Sequence, residues 1–262
     1  MSEAISAAKF LSQLKRWGVN VDLVYDHWAT HNRGERGDGW GDMHGVLWHH
    51  TGSDSQSTAV LYNGRADLPG PLCHGGITAQ GVLVPIGWGR TNHAGLGDSQ
   101  VLRRLTEESY SGILKPRRFP NGVAGDIDGN ARLYGFEIMY AGSHGMTKSQ
   151  YQTALKVSAA LCEAHKWGAK SVAGHGEWTY QKWDPGYAPG RMMDMSVVRE
   201  DIADLLHNGP SLRTHVVKAG ETLYKLAVTY LGDGNRWPEI AAVNGLKNSD
   251  LTIGQTLRIP AK

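Results

Sequence analysis

Cysteine, net charge and long apolar runs are all scarce in this sequence, and each scarcity excludes a class of protein. Two cysteines, Cys73 and Cys162, cannot build a disulfide framework, so we expect synthesis in a reducing compartment. The net charge of +2 lacks the dense cationic field with which nucleic-acid-binding proteins release counterions. No apolar run approaches the roughly 20 residues of a membrane-spanning helix. Segment 1–18 lacks the uninterrupted apolar core of an export signal and is predicted to form an amphipathic helix.

The remaining composition is that of an ordinary folded protein. Hydrophobic residues make up 40% of the 262 residues and charged residues 20%, which excludes wholesale disorder. The clearest break in the chain follows residue 207, where an amphipathic segment ends in Asn-Gly-Pro, a helix stop. We therefore expect a large domain over 1–207, a linker over 208–213 and a small domain over 214–262.

The large domain is predicted to have an α/β core. Segments 45–52 and 134–140 are short and β-rich, as strands inside such a core are. Residues 77–87 contain a Gly-centred turn that predicts a hairpin. Residues 115–132, which are rich in Pro, Gly and Asp, are predicted to cross the surface.

A long helix is predicted over 147–167. It opens with Thr147 and Gln150 at capping-box spacing, and Gly168 is expected to close it. Cys162 falls on the apolar face of this helix, so we expect it to be a small buried hydrophobic residue.

Four residues offer a possible metal site. A hydrolytic zinc site needs about three ligands from different elements and one open position. His49 and His50 lie on a predicted strand, and His175 and Asp184 follow in GHGEWTYQKWDPG, with His175 expected to open a loop. Adjacent strand residues point to opposite faces, so only one of His49 and His50 can face the site, and the pattern alone does not choose between them.

Two further residues have the chemistry of catalytic groups. If the chain is extended at residues 182–184, Lys182 points to the same side as Asp184 and could stabilise an oxyanion beside a metal. Glu137 is a carboxylate on an otherwise apolar strand, where burial is costly unless the group is paired or used. Glu137 is therefore a candidate general base.

Five motifs occur in a recognisable order between about Trp17 and His207: GVLWHHTGS, PLCHGG, TNHAG, YGFEIMY, and GHGEWT with KWDPG. Together they resemble the zinc-dependent type 2 N-acetylmuramoyl-L-alanine amidases, which are relatives of the peptidoglycan recognition proteins. Among these, the sequence is most similar to the variants found in phage endolysins directed at actinobacteria. The resemblance implies a mixed central β-sheet flanked by helices.

The resemblance also implies roles for individual residues. It assigns Zn²⁺ to His49, His175 and Asp184, and the catalytic pair to Glu137 and Lys182. The substrate groove of the family would be lined here by Cys73, His74 and His93. Many relatives have Tyr or another residue at the position of Cys73. The surface excursion over 96–132 has no simple counterpart in the compact members.

Other interpretations of the same residues remain open. Cys73 could serve as the nucleophile of a cysteine peptidase acting on the stem peptide, although its neighbour His74 would diverge from it on a strand. A non-catalytic peptidoglycan-binding protein is the alternative from another class, but it would be expected to lack a ligand. Asp126, Asp128 and Asn130 have the spacing of a calcium loop, yet Ala131 replaces its required Gly, so a polar turn is expected.

The C-terminal residues 214–260 predict a strand, two helices and a final strand. The first helix is expected to start near Glu221 and the second to span about 237–243. The span closely resembles lysin-motif (LysM) domains, which bind N-acetylglucosamine-containing glycans. Carried over to this chain, the glycan-binding residues lie in two loops: Gly220, Glu221, Thr222 and Leu223, and opposite them Asn248, Asp250, Leu251 and Ile253.

These observations predict a peptidoglycan hydrolase that cleaves the amide between N-acetylmuramic acid and L-alanine of the stem peptide. Its partner would be bacterial peptidoglycan, with the muramyl peptide at the large domain and glycan at the small one. By analogy with phage lysins, we expect a monomer that accumulates in the host cytoplasm without a signal peptide. It would then reach the cell wall and cause lysis.

Overall fold

The computed structural model describes residues 3–34, 40–210 and 213–260. The helices are α1 (Ala7–Arg16), α2 (Thr58–Asn63), α3 (Ser99–Glu107), α4 (Lys148–His165), α5 (His175–Trp178), α6 (Met195–Asn208), α7 (Leu223–Leu231) and α8 (Trp237–Val243). The strands are β1 (Val46–His50), β2 (Gly64–Arg65), β3 (Leu68–Pro69), β4 (Gly75–Ile77), β5 (Leu83–Pro85), β6 (Leu96–Gly97), β7 (Ile127–Asp128), β8 (Tyr134–Ile138), β9 (Val172–Gly174), β10 (Gly186–Ala188), β11 (Arg191–Met192), β12 (Arg213–Val216) and β13 (Thr256–Ile259). Part of the predicted linker, residues 211 and 212, lies outside the described residues.

A five-stranded mixed sheet forms the centre of the large N-terminal unit, in the order β5-β4-β8-β1-β9. Strand β1 runs parallel to both β8 and β9, and β8 runs parallel to β4, whereas β5 pairs antiparallel to β4. The α/β class and the mixed sheet flanked by helices are therefore as expected.

The two faces of this sheet pack against different helices. On one face, alternate strand residues such as Val46 and Trp48 join a core with Phe10 of α1, Leu161 of α4 and Ile202 of α6. On the other face, Leu47 of β1, Ala173 of β9 and Leu133, directly before β8, form a smaller core with Leu105 of α3 and Trp178 of α5. The period of two along each strand thus decides which side chains face which layer.

Several elements predicted from local sequence signals are present in the structure. The side chain of Thr147 accepts a hydrogen bond from the backbone N–H of Gln150, and the side-chain oxygen of Gln150 accepts one from the backbone N–H of Thr147, which confirms the capping box of α4. Strands β4 and β5 form the predicted hairpin around Gly81, which has φ of +77°. Cys162 is fully buried, as expected.

Two local predictions were wrong. Helix α4 ends at His165, and Lys166 closes it in the left-handed conformation, so Gly168 is not its C-cap. His175 begins the short helix α5 directly after β9, where a loop was expected. In α5 the Glu177 side chain accepts a hydrogen bond from the backbone N–H of Gly174, which satisfies a donor at the start of the helical turn.

The C-terminal residues have an apolar core of their own. Strands β12 and β13 pair antiparallel, and α7 and α8 lie between them in the chain. The buried members of this core all come from residues 217–259: Val217, Leu223, Leu226, Ala227, Leu231, Ile240, Ala241, Leu257 and Ile259. Thr222 caps α7, so this helix begins two residues after the expected Glu221. Among the described residues, no helix combines the length and the apolarity needed to cross a bilayer.

Candidate active site

The predicted ligands meet at one edge of the central sheet. His49 and Glu137 are the penultimate residues of the parallel strands β1 and β8, and His175 comes directly after β9. The carboxyl ends of parallel strands lie at the same edge of a sheet, which is where α/β proteins place their ligand sites. His49 and Glu137 are direct partners in the register, so both point to the face that packs against α3 and α5.

Three ligand atoms converge at this edge. His49 Nδ1 lies 3.0 Å from His175 Nδ1 and 3.3 Å from Asp184 Oδ2, and the last two atoms are 3.0 Å apart. All three residues are buried. Atoms bound to one tetrahedral zinc ion at its usual bond lengths of about 2.0–2.2 Å lie about 3.3 Å from one another. The spacing and the chemistry of this donor set therefore fit such an ion.

The protonation states of these groups also suit metal binding. Burial, together with the nearby His175, lowers the pKa of His49 to about 4, so its imidazole is neutral at pH 7. Burial opposes ionisation of Asp184, but the imidazoles of His175 and His49 outweigh it and hold the pKa of the carboxyl well below its usual value. A neutral imidazole and an ionised carboxylate are the forms that bind a metal.

His50 takes the opposite direction from His49. Its Nδ1 accepts a hydrogen bond from the backbone N–H of Gly186, and its ring lies against Trp183. The sheet register thus resolves the choice that the sequence left open: His49 turns toward the cluster and His50 turns away from it.

Glu137 has the least satisfied carboxyl of the site. Its Oε2 is buried and has no hydrogen-bond partner within residues 3–34, 40–210 and 213–260. Burial, and then the charge of Asp184, raise the pKa of Glu137 to about 8. A carboxyl group that is poised near neutrality and lacks a partner can accept or return a proton during a reaction.

A cavity of about 370 Å³ opens in front of these groups. Lys182 lines it together with the three predicted ligands and Glu137. Arg65, Asn92, Gln181 and Trp183 are among the further residues of its mainly polar wall. The positive charges of Lys182 and Arg65 oppose the rise in the pKa of Glu137. The cavity therefore places a proton acceptor and two cations around one opening.

The structure corrects the expectation that Cys73 and His74 line the substrate groove. Both side chains are 0% exposed. Cys73 packs in an apolar cluster with Leu72 and Val84. His74 accepts a hydrogen bond at Nδ1 from the backbone N–H of Gly135. Neither side chain therefore offers a surface to a ligand.

His93 lies closer to the cluster than a groove position suggests. The residue lines the cavity but is only 8% exposed, and its ring nitrogen Nδ1 lies 3.0 Å from Nε2 of His49. The ring also covers Gly135, where an added Cβ would come within 2.0 Å of Nδ1. The close approach of the ring to strand β8 therefore requires glycine at this position.

Sequence reasoning missed several residues that support the site. Glu177 and Arg199 form a buried ion pair at 2.8 Å that joins α5, which carries His175, to α6. Asn130 was assigned to a polar turn, yet it is only 9% exposed. Arg65 and Asn92 line the cavity. No local pattern marks these residues, because their partners become neighbours only through the tertiary fold.

The residues predicted to bind glycan are mostly at the surface of the C-terminal unit. Gly220, Thr222, Asn248 and Asp250 are exposed, and Ile253 is 70% exposed. Three further members are less accessible: Glu221 and Leu251 are half-buried, and Leu223 is only 1% exposed. The Leu223 side chain therefore belongs to the core, and only its backbone is available to a ligand. The Glu221 carboxylate accepts hydrogen bonds from Lys218 N and His215 Nε2.

Comparison with known proteins adds two family assignments. The profile described as N-acetylmuramoyl-L-alanine amidase matches residues 39–187, and the profile of the LysM domain matches residues 215–260. The first match includes the three ligands, Glu137 and Lys182. A search of curated proteins found no match.

Several solved structures are similar to the chain at low identity. The endolysin N-acetylmuramoyl-L-alanine amidase LysCS from Clostridium intestinale has 15% identity and a TM-score of 0.40, covering 64% of this chain and 88% of its own. The Ph2119 endolysin of a Thermus scotoductus bacteriophage has 14% identity and a TM-score of 0.43, covering 70% and 98%. The Staphylococcus aureus hydrolase AmiA has 9% identity and a TM-score of 0.46, covering 80% and 98%.

Proposed function

The chain belongs to the N-acetylmuramoyl-L-alanine amidase family, and we propose that it is a zinc-dependent member that cleaves peptidoglycan. The substrate bond is the amide that joins the lactyl group of N-acetylmuramic acid to L-alanine of the stem peptide. One observation carries the proposal: three ligand atoms within 4.8 Å of one another lie in the same cavity as the unpaired carboxylate oxygen of Glu137.

His49, His175 and Asp184 would hold the zinc ion. When bound, zinc supplies Lewis-acid chemistry, which lowers the pKa of a water molecule and polarises a carbonyl group. The two imidazoles and the carboxylate come from three separate elements, so the site depends on the folded sheet edge and does not form in the unfolded chain.

Glu137 is the proposed general base. Its free Oε2 accepts a proton from the attacking water as the oxygen bonds to the carbonyl carbon of the lactyl group. The negative charge that develops on the carbonyl oxygen is stabilised by the ammonium group of Lys182. The carbon–nitrogen bond then breaks, and Glu137 returns its proton to the leaving nitrogen. The products are the lactyl carboxylate and a new amino terminus on L-alanine.

The two alternative functions receive less support. A cysteine nucleophile needs an accessible thiolate, but Cys73 and Cys162 are both 0% exposed, and burial raises the pKa of Cys73 well above its usual value. A binding protein without catalysis would be expected to lack a ligand or the base, whereas all five positions are filled here.

The LysM domain is proposed to hold the enzyme on its substrate. Two exposed loops of this domain, which contain Thr222 and Ile253, would contact N-acetylglucosamine-containing glycan. Attachment to the wall raises the local concentration of the catalytic domain around its substrate. The biological role that fits this pairing is that of a phage endolysin, made in the host cytoplasm and released to the wall to cause lysis. The support for that role is the resemblance of the five motifs to phage endolysins.

Product analysis on purified peptidoglycan tests the proposed reaction. We expect new L-alanine amino termini without new reducing sugar ends, and the reaction should stop with a zinc chelator but continue with a thiol-alkylating agent. New reducing ends would instead indicate a glycosidase. Inhibition by the alkylating agent alone would indicate the cysteine peptidase.

A further inference from the structure

Two neighbouring residues, His93 and Ala94, contact the proposed imidazole ligands on the side away from the cluster. His49 turns its second nitrogen, Nε2, to Nδ1 of His93 at 3.0 Å. His175 turns its second nitrogen, also Nε2, to the carbonyl oxygen of the next residue, Ala94, at 3.2 Å. Segment His93–Gly95 is thus the common support of two ligands that are 126 residues apart in the chain.

The hydrogen-bond partners of this segment determine the tautomers of both ligands. The carbonyl oxygen of Leu133 lies 3.0 Å from His93 Nε2 and can only accept, so His93 carries its proton on Nε2 and leaves Nδ1 as an acceptor. His49 must then donate from Nε2. In the same way, the Ala94 carbonyl requires a proton on Nε2 of His175. Both ligands are therefore left with a free lone pair on Nδ1, the atom that faces the cluster.

Asn130 fixes the position of the segment. Its side-chain oxygen accepts hydrogen bonds from three successive backbone N–H groups, those of His93, Ala94 and Gly95, at 2.9, 2.8 and 3.1 Å. Asn130 is itself held by Asp128, whose Oδ1 accepts from the Asn130 backbone N–H at 3.0 Å. One buried amide oxygen therefore orders the segment whose His93 ring contacts His49 and whose Ala94 carbonyl contacts His175.

We propose that His93 and Asn130 are positioning residues that set the tautomer and the orientation of the two imidazole ligands. The inference rests on the proposed zinc site and deepens it: the polar turn around Asn130, within the excursion over 96–132, belongs to the support of the metal centre. His93 acts through His49, and Asn130 acts through the segment that contacts His49 and His175. Ligands oriented in this way bind metal more tightly, because their partners prevent the rings from rotating and the protons from shifting.

Zinc affinity, measured by competition with a chelator, tests the proposal with a matched pair of variants at each position. His93→Phe keeps a ring but loses the acceptor, whereas His93→Asn keeps an acceptor near the position of Nδ1. Asn130→Leu loses the acceptor of three N–H groups, whereas Asn130→Asp keeps it. We expect the Phe and Leu variants to bind zinc about 10- to 100-fold more weakly, and the Asn and Asp variants to remain within about 3-fold of the wild type.

A spectroscopic readout and a control separate positioning from general loosening. Nitrogen-15 NMR of the zinc-free protein should show His49 protonated on Nε2 in the wild type and a mixture of tautomers in His93→Phe. The control is His74→Phe, since His74 is also fully buried and, among the described residues, its nitrogens hydrogen-bond to the backbone of Gly89 and Gly135 alone. Phe also keeps a ring in the edge-to-face contact that His74 makes with His93. This control should keep the wild-type zinc affinity.

The possible outcomes distinguish this inference from the proposed function. If the wild type binds no zinc, the proposed function fails. If the wild type binds zinc and His93→Phe binds it equally well with unchanged tautomers, only the positioning role is overturned. An equal loss of affinity in His74→Phe would also overturn it, because the effect would then come from loosening of the core.

Discussion

Glu137 and His49 lie side by side, as register partners on the parallel strands β8 and β1. Their side chains leave the sheet on the same face, so the proposed base and a proposed metal ligand keep a fixed relation that the sheet backbone enforces. Because Oε2 of Glu137 has no hydrogen-bond partner in the part of the chain that the structure describes, a substitution there breaks no hydrogen bond to that oxygen. The role of Glu137 can therefore be tested with little effect on the fold.

The Glu137→Gln variant should fold and bind zinc but hydrolyse peptidoglycan about 10²- to 10⁴-fold more slowly, as expected for loss of a general base. The amide of Gln has nearly the shape of the carboxyl but cannot accept the proton. The measurements are the release of L-alanine amino termini and the zinc content of the purified protein. Glu200→Gln, at an exposed position, is the control and should react at the wild-type rate. Wild-type hydrolysis by Glu137→Gln would refute the assignment.

Lys182→Met should lower kcat about 10²-fold or more, because the methionine side chain cannot stabilise an oxyanion. Zinc affinity should change little, since Lys182 is not one of the three grouped ligands. Steady-state kinetics on a soluble muramyl peptide measure this effect without the influence of wall binding. The exposed Lys148 provides the control, Lys148→Met. If only KM rises in Lys182→Met, the lysine binds substrate and does not stabilise the transition state.

Removal of zinc should destabilise the protein as well as inactivate it. A ligand that binds only the folded state adds about 2.7 kcal/mol of stability when its free concentration is 100 times Kd. We expect a chelator to lower the melting temperature of the wild type and added zinc to restore it. Asp184→Asn should have a low melting temperature that zinc does not raise, while Asp204→Asn, at the exposed surface of α6, should respond like the wild type. A full response of Asp184→Asn to zinc would exclude Asp184 as a ligand.

His74 should make the folded protein sensitive to acid. Burial lowers the pKa of His74 to about 4. In the folded protein Nδ1 of His74 accepts a hydrogen bond from the backbone N–H of Gly135, so a second proton on the ring would place two N–H groups against each other. The unfolded chain, with an ordinary histidine pKa of about 6.5, binds a proton that the folded protein does not. Stability from this residue is therefore fully present above about pH 6.5 and is lost as the pH falls toward about 4.

Urea unfolding of the zinc-free protein at several pH values measures this contribution. His74→Phe should be less stable than the wild type near pH 7, because it lacks two hydrogen bonds. Between pH 6 and pH 5, however, its stability should fall less steeply than that of the wild type, by about 1.2 kcal/mol per pH unit. Parallel pH profiles for the two proteins would show that His74 does not cause the acid sensitivity.

Ile253→Ser should weaken binding to purified walls without changing the turnover of a soluble muramyl peptide. Ile253 is 70% exposed and is one of the proposed glycan contacts, so its substitution should affect recognition and not the core. Co-sedimentation with walls measures binding. Val228→Ser is the matched control, because Val228 is another exposed apolar residue of the LysM domain, on helix α7. Equal weakening by both variants would indicate that exposed apolar residues of the domain bind walls nonspecifically.

The sequence predicted much of the fold because its strongest signals are local. The capping box at Thr147 and Gln150 needs only neighbouring residues, and it formed as expected. The proposed ligands could also be named from the sequence, because the order of the motifs implied them. The choice between His49 and His50 depended on which face of the sheet each one reaches. Leu47 shares a face with His49 and packs against α3 and α5, so only the packed structure shows that His49 points to that side.

The remaining site residues could not be predicted because their roles arise from distant parts of the chain. Cys73 and His74 lie in a motif that suggests a groove, yet the fold buries both completely. Asn130 has the sequence of an ordinary turn, but its oxygen meets a backbone segment 35 to 37 residues away. Neither periodicity nor turn chemistry carries information about such contacts.

The burial of both thiols makes the folded protein resistant to thiol oxidation. Cys73 and Cys162 are fully covered by other atoms, so peroxide or oxidised glutathione finds no sulfur to attack while the chain stays folded. The folded protein should therefore keep both thiols unmodified in an oxidising solution as well as in a reducing one. For the same reason, a fluorophore directed at one cysteine introduced on the surface would label that position alone.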